Sequence, residues 1–163
     1  MVHQFTPVLL AAVLGSLFVQ IIWADEHPAP RSLWHTVTAP PPTGQPPMPG
    51  KPWVLRQREI ALDLLLLHVL KDAGARPLPR ITVELFDKPN PELDVTSTVS
   101  RINDTSVIRG TLKPPSLGDF TFVVTGNLLI GAIQMGDRLY KTEHITNGRL
   151  RLVEVAPDKM PPD

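Results

Sequence analysis

The chain contains no cysteine in 163 residues, which excludes disulfides, thiol catalysis and cysteine-ligated zinc. It also carries no net charge, with 16 Lys and Arg against 16 Asp and Glu and no basic cluster. A protein that binds a phosphate backbone needs such a cluster, so nucleic acid is not expected as a partner.

The motifs of catalysis are missing too. There is no H-E-x-x-H, and His3, His27, His35, His68 and His144 are too dispersed to form one. His68 rides on an apolar run and reads as a surface or satisfied histidine. Ser97, Ser100 and Ser106 have no G-x-S-x-G context, and the glycines sit singly at turns rather than in a phosphate-binding loop. Asp63, Asp72, Glu84 and Asp87 are scattered carboxylates without paired spacing, which suits capping or solvated surface better than acid–base work. We therefore expect no catalytic residue, no cofactor and no metal.

Charge is also absent from residues 1–24, where the run 8–22 is mostly Leu, Ala, Val, Phe and Ile before Asp25 and Glu26. This is the shape of a signal peptide cleaved after Ala24, and it predicts a secreted or periplasmic protein. An uncleaved anchor is the alternative, and it would be the one route to a membrane. Residues 25–52 are proline-dense and read as an extended linker, with Trp34 and His35 isolated in it and given no role.

From Trp53 the pattern changes. Residues 54–62 read as a strand, with Arg56, Arg58, Ile60 and Leu62 on one side and Leu55, Gln57, Glu59 and Ala61 on the other. A short helix or turn follows, with Asp63 placed to cap it, Lys71 in its last turn and Gly74 as its stop, although an apolar run this short also suits a buried strand. Residues 80–86 alternate as a second strand, and residues 94–102 and 106–112 form a hairpin about Asn103-Asp104.

Residues 119–155 are the clearest stretch, a meander divided by Gly126-Asn127, Gly136-Asp137 and Asn147-Gly148. Two-residue turns place Val124 opposite Leu129, Phe122 opposite Gly131, Phe120 opposite Ile133 and Tyr140 opposite Ile133. That makes one apolar face, with the Phe122 ring lying across bare backbone at Gly131. The third turn then predicts Tyr140 opposite Val155, Lys141 opposite Glu154, Thr142 opposite Val153 and His144 opposite Arg151.

These elements predict an all-β, mainly antiparallel fold: a β-sandwich or a strongly curved meander sheet of about seven or eight strands with at most one short helix. The expected organisation is a signal peptide (1–24), a proline-rich linker (25–52), a β-rich domain (53–156) and a proline-ended tail (157–163).

The strand with Arg56 and Arg58, the RITVELFDKP segment, Ile108-Arg109-Gly110-Thr111-Leu112, FTFVVTGNLLIGAIQ, Leu139-Tyr140 and the RLRLVEVAPDKMPPD close carry a resemblance. Together they resemble the N-terminal prodomain of secreted bacterial zinc metallopeptidases of the reprolysin-like and peptidyl-Asp type, without the catalytic domain. This chain has Ile108 where that family commonly has an aromatic, usually Trp. The resemblance implies a non-catalytic protein that binds or inhibits a zinc metallopeptidase, and assists its folding. It would act by strand addition at a sheet edge, with Asp158 or Asp163 of the tail delivered to the metal. The other reading is an exported β-sandwich binding or structural module with no link to proteases.

Overall fold

Turn chemistry decides the centre of the sheet. Gly126 and Gly136 take φ of 57° and 62°, values open to glycine at little cost, and the strands on either side close on them in the expected register. The computed structural model describes residues 29–38, 51–145 and 149–160. The signal-peptide stretch and most of the linker lie outside the described residues.

The strands are β1 (Arg31–Ser32), β2 (Trp34–Thr36), β3 (Val54–Leu62), β4 (Ile81–Thr82), β5 (Glu92–Arg101), β6 (Thr105–Leu112), β7 (Gly118–Thr125), β8 (Leu128–Met135), β9 (Arg138–His144) and β10 (Leu150–Val155). One helix, α1 (Leu64–Lys71), follows β3, and a 3-10 turn (Pro157–Lys159) follows β10. All ten strands belong to a single sheet in the order β1-β4-β5-β6-β7-β8-β9-β10-β3-β2.

Its two terminal strands are neighbours in sequence, separated only by Leu33. The Leu33 amide donates to the Thr82 carbonyl at 2.8 Å, and its carbonyl accepts from the Asp63 amide at 2.9 Å. One short segment thus joins both ends of the sheet, and the strands wrap into a nearly closed barrel. The expected seven or eight strands become ten, the strongly curved sheet rather than the sandwich is the form found, and the β1–β4 pair is parallel. The strands at the two ends of the sheet are only two and three residues long, which leaves little open edge for strand addition.

The same segment corrects the reading of the linker. Leu33 and Trp34 are fully buried, Trp34 packs edge-on to Phe122 with ring centroids 6.0 Å apart, and its indole N–H donates to the Glu84 carbonyl at 2.8 Å. Proline density hid a strand too short to show a period. Residues 80–86 are shorter as a strand than their alternation suggests. Ile81, Val83 and Leu85 are buried as expected, but the ladder covers only Ile81–Thr82.

Three aromatics, Trp34, Phe120 and Phe122, form the centre of the core with Ile60, Leu93, Ile108, Leu129, Ile133 and Leu152. The expected crossing of Phe122 over Gly131 is present. A Cβ at Gly131 would stand 2.3 Å from the Thr121 carbonyl oxygen and 2.6 Å from Phe122 Cδ1. Gly131→Ala is expected to cost about 1–3 kcal/mol, as overpacking does in a filled core, and a lowered thermal midpoint would register it.

Helix α1 covers one end of the barrel. Asp63 caps it by accepting from the Leu66 amide at 3.0 Å, and Leu66, Leu67 and Leu70 are buried. Its last carbonyls, which have no helical partner, accept from hydroxyls of the sheet: Leu70 from Thr98, and Lys71 from Ser100 and Ser106. The Lys71 ammonium, itself buried, reaches Asp104 in the β5–β6 turn and the Gly126 carbonyl in the β7–β8 turn.

The last hairpin departs from expectation by one residue. The Ile145 amide donates to the Arg149 carbonyl at 2.7 Å, so three residues separate the paired positions rather than two. A shift of one exchanges the faces of a strand. Leu152 faces Thr142, Val153 faces Lys141, and Arg151 faces Glu143, with which it pairs at 2.7 Å, rather than His144. Most consequentially, Glu154 lies opposite Tyr140 and Arg56, on the inward side.

An ion-paired carboxylate outside the barrel makes a separate acid-sensitive contact. Glu92 accepts from Arg80 at 2.7 Å and from Lys113 at 2.7 Å, and these partners, Arg80 foremost, lower its pKa from about 4.5 to about 2. A carboxylate depressed by folding stabilises above its unfolded value and loses that contribution as pH falls through the folded one. The stability advantage of the native chain over Glu92→Gln should therefore shrink between about pH 4.5 and about 2, as urea midpoints taken across that range would show.

Candidate binding site

The end of the barrel opposite α1 is built around arginine. On β3 the residues alternate Arg56, Arg58, Ile60, and since Ile60 is core, both arginines belong to the inward side of the same strand. Arg138 begins β9 and Glu154 ends β10 on that side, and the segment after β4 brings Phe86 and Asp87 across them.

Arg58 spans the part of the seam that the ladder leaves open. Its Nη2 donates to the carbonyls of Glu84 and Leu85 at 2.8 and 2.7 Å. These are carbonyls of the residues whose strand pairing stopped at Thr82. Burial lowers the Arg58 pKa, opposed by the Glu84 charge. On the solvent side Glu84 also accepts from the Thr36 amide at 3.0 Å, which ties β2 to the same segment.

Glu154 is the buried centre of the cluster, its side chain only 6% exposed. It accepts from Arg56 Nε at 2.5 Å and from Arg138 Nε at 2.7 Å. The outer edges of the same two guanidiniums converge on Asp87. Arg56 Nη1 and Nη2 donate to its two oxygens at 2.9 and 2.8 Å, and Arg138 Nη2 donates at 2.5 Å. The Asp87 side chain is 51% exposed.

The pKa directions follow this geometry. Hydrogen bonds from Arg56 and Arg138 hold the Asp87 carboxyl far below the ordinary carboxylate range. At Glu154 burial works against ionisation, but the bonds from Arg138 and Arg56 outweigh it and the pKa is lowered. Both arginines are raised in turn, Arg56 chiefly by Asp87 and Arg138 chiefly by Glu154.

Aromatic faces fill the space between the cations. The Arg56 and Arg58 guanidinium carbons lie 4.8 and 5.0 Å from the Phe86 ring centre, and that of Arg138 lies 5.3 Å from Tyr140. Phe86 and Tyr140 stack at 6.4 Å and 23°. Tyr140 is the chain's one tyrosine. Its hydroxyl is buried without a hydrogen-bond partner, as is Arg58 Nε, and burial raises its pKa.

Chemically, the cluster is a pair of oriented guanidiniums with stacked aromatic walls, suited to holding an oxyanion. Neither of two surface depressions coincides with it. One of about 460 Å³ lies among Val37, Leu62, Leu64 and Leu128 near the start of α1, and one of about 230 Å³ lies among Leu78, Ile81, Leu93 and Val95.

The residues singled out from the sequence are placed differently. Asp158 is exposed on the 3-10 turn that follows β10, and Met160 just beyond it lies 3.8 Å from Lys141 Nζ. Asp163 lies outside the described residues. His68 is exposed on α1. Among the described residues no group of three or more His, Asp or Glu side chains is placed to hold a metal.

Sequence reasoning passed over the cluster. The one local signal was the pair Arg56 and Arg58 on the same side as Ile60 and Leu62, two charges where a core face was due. Asp87 reads as solvated surface from the sequence, and a two-residue last turn puts Glu154 on the outer face, one residue out of the observed register.

No family model, curated protein or solved structure matches this chain, so the likeness to metallopeptidase prodomains stands on the sequence features alone.

Proposed function

We propose that this chain is an exported, non-catalytic binding domain that engages an acidic protein partner through the arginine-lined end of its barrel. The observation that carries this reading is the placement of Arg56, Arg58 and Arg138 on the inward side of one barrel end, backed by Phe86 and Tyr140. The three guanidiniums face Glu154, Asp87 and the Glu84 charge beside Arg58, and the outward edges of Arg56 and Arg138 meet the half-exposed Asp87. Oriented arginine and aromatic side chains are the types enriched at the centres of protein interfaces.

The test is affinity capture from the exported fraction of the source cells with the full chain, run beside Phe86→Ala and a control at the other end, Leu65→Ser. Leu65 is 72% exposed on α1. A partner retained by the native chain and by Leu65→Ser but lost with Phe86→Ala supports the reading. A partner insensitive to Phe86→Ala removes it, as does retention of nothing at all.

The metallopeptidase reading is favoured by one feature, the exposed Asp158 on a turn leaving the same end of the barrel. A carboxylate there is presented to a partner without crossing the barrel. If the partner is a metzincin, the full chain should inhibit its isolated catalytic domain, and Asp158→Asn should weaken inhibition about tenfold or more, the loss of one charge-assisted contact.

A further inference from the structure

The two carboxylates that hold Arg56 and Arg138 are not equivalent. Glu154 rises from the barrel wall, is buried, and takes the Nε edge of each guanidinium. Asp87 comes from the connection between β4 and β5, is half exposed, and takes the Nη edges that face outward. Glu154 and the rings of Phe86 and Tyr140 therefore orient the arginines without Asp87.

What Asp87 fills is a fork of guanidinium donors prepared on a rigid sheet. We infer that Asp87 is an internal occupant of a carboxylate-binding site, holding the place of an acidic side chain that a peptide partner supplies. This rests on the proposed function only in placing the partner at this end of the barrel.

Two observations support an occupant rather than a permanent brace. Without Asp87 the cluster holds Arg56, Arg58 and Arg138 against Glu154 and the Glu84 charge beside Arg58, an excess of one positive charge beside a low-dielectric interior. The Tyr140 hydroxyl and Arg58 Nε are buried without partners, which leaves hydrogen-bonding capacity that Asp87 does not use.

The chemistry that fits is a carboxylate, since its two oxygens match the Arg56 fork with a third bond from Arg138. Inorganic phosphate offers the same oxygens and is the source to separate from it. An intramolecular carboxylate competes at high effective concentration, so the native chain should bind external anions weakly until Asp87 is displaced.

The experiment is a titration of the purified full chain, native and Asp87→Ala, with a blocked pentapeptide carrying one Glu, its Gln counterpart and inorganic phosphate. NMR of the arginine Nε–H groups reads occupancy directly. Asp87→Ala should bind the Glu peptide at least about tenfold more tightly than the native chain does, a difference of about 1.4 kcal/mol. The Gln peptide should show no gain, and Asp87→Ala with Arg138→Gln should lose it.

A folded Asp87→Ala with no gain for the Glu peptide overturns the proposal, and so does a gain that survives Arg138→Gln. A gain for phosphate alone overturns the peptide assignment. Should Asp87→Ala fail to fold, Asp87→Asn removes the charge at nearly constant shape and is held to the same outcomes. Because no natural partner is used, this experiment can succeed or fail independently of the capture that tests the proposed function.

Discussion

A chain that starts at Trp53 is expected not to fold, although composition marks that residue as the start of the domain. Truncation there removes Leu33, whose amide and carbonyl join the two ends of the sheet, and Trp34, which fills the core against Phe122. β3 and β4 lose their outer partners and become open edges, and the Glu84 carbonyl loses its indole donor. In the full chain Trp34→Ala alone should cost about 3–5 kcal/mol, the range for deleting a buried aromatic side chain. Urea denaturation followed by tryptophan-independent far-UV circular dichroism measures it. The neighbouring His35 projects to solvent, its side chain 62% exposed, so His35→Ala should stay within about 0.5 kcal/mol. A residue 53–163 fragment that melts cooperatively at the midpoint of the full chain would show that the closing segment is dispensable.

Glu154→Gln should produce the second large loss, about 3 kcal/mol, at the lower end of what breaking a buried ion pair costs. The substitution leaves the Nε groups of Arg56 and Arg138 facing a neutral amide that can accept only at its single oxygen. Both arginines are part-exposed, 40% and 31%, and water reaching them keeps the expected loss from rising further. Arg149 and Glu59 pair at 3.1 Å on the outer face, with side chains 44% and 25% exposed. Removing that contact by Arg149→Ala should cost no more than about 1 kcal/mol. Denaturant midpoints of the two variants, measured side by side, give the comparison. Equal losses would mean that Glu154 is no more than another surface partner.

Much of the sheet was legible from local chemistry. The hairpins at Gly126-Asn127 and Gly136-Asp137 pair Val124 with Leu129, Phe120 with Ile133 and Ile133 with Tyr140, as their turn dipeptides require. β3 occupies the expected residues 54–62, and Asp63 caps a helix running to Lys71. Each of these signals lies within a few residues of the structure it specifies. The Asn147-Gly148 signal failed because a turn dipeptide specifies a local shape and not the loop length around it. With Ile145 paired to Arg149, every inward residue of β10 moved by one place.

The sequence by itself determined an all-β chain, the first two turns of the meander with their apolar face, the capping position of Asp63, and the absence of thiol chemistry. Those follow from backbone preferences and side-chain alternation, which act over short spans. Only the tertiary structure decided that Leu33 closes the sheet and that Trp34 belongs to the core, because strands of two and three residues among prolines have meaning only beside the edges they join. It alone assembled Arg56, Asp87, Arg138 and Glu154, drawn from three strands and a loop, since attraction between charges depends on distance in space and leaves no periodic trace along the chain.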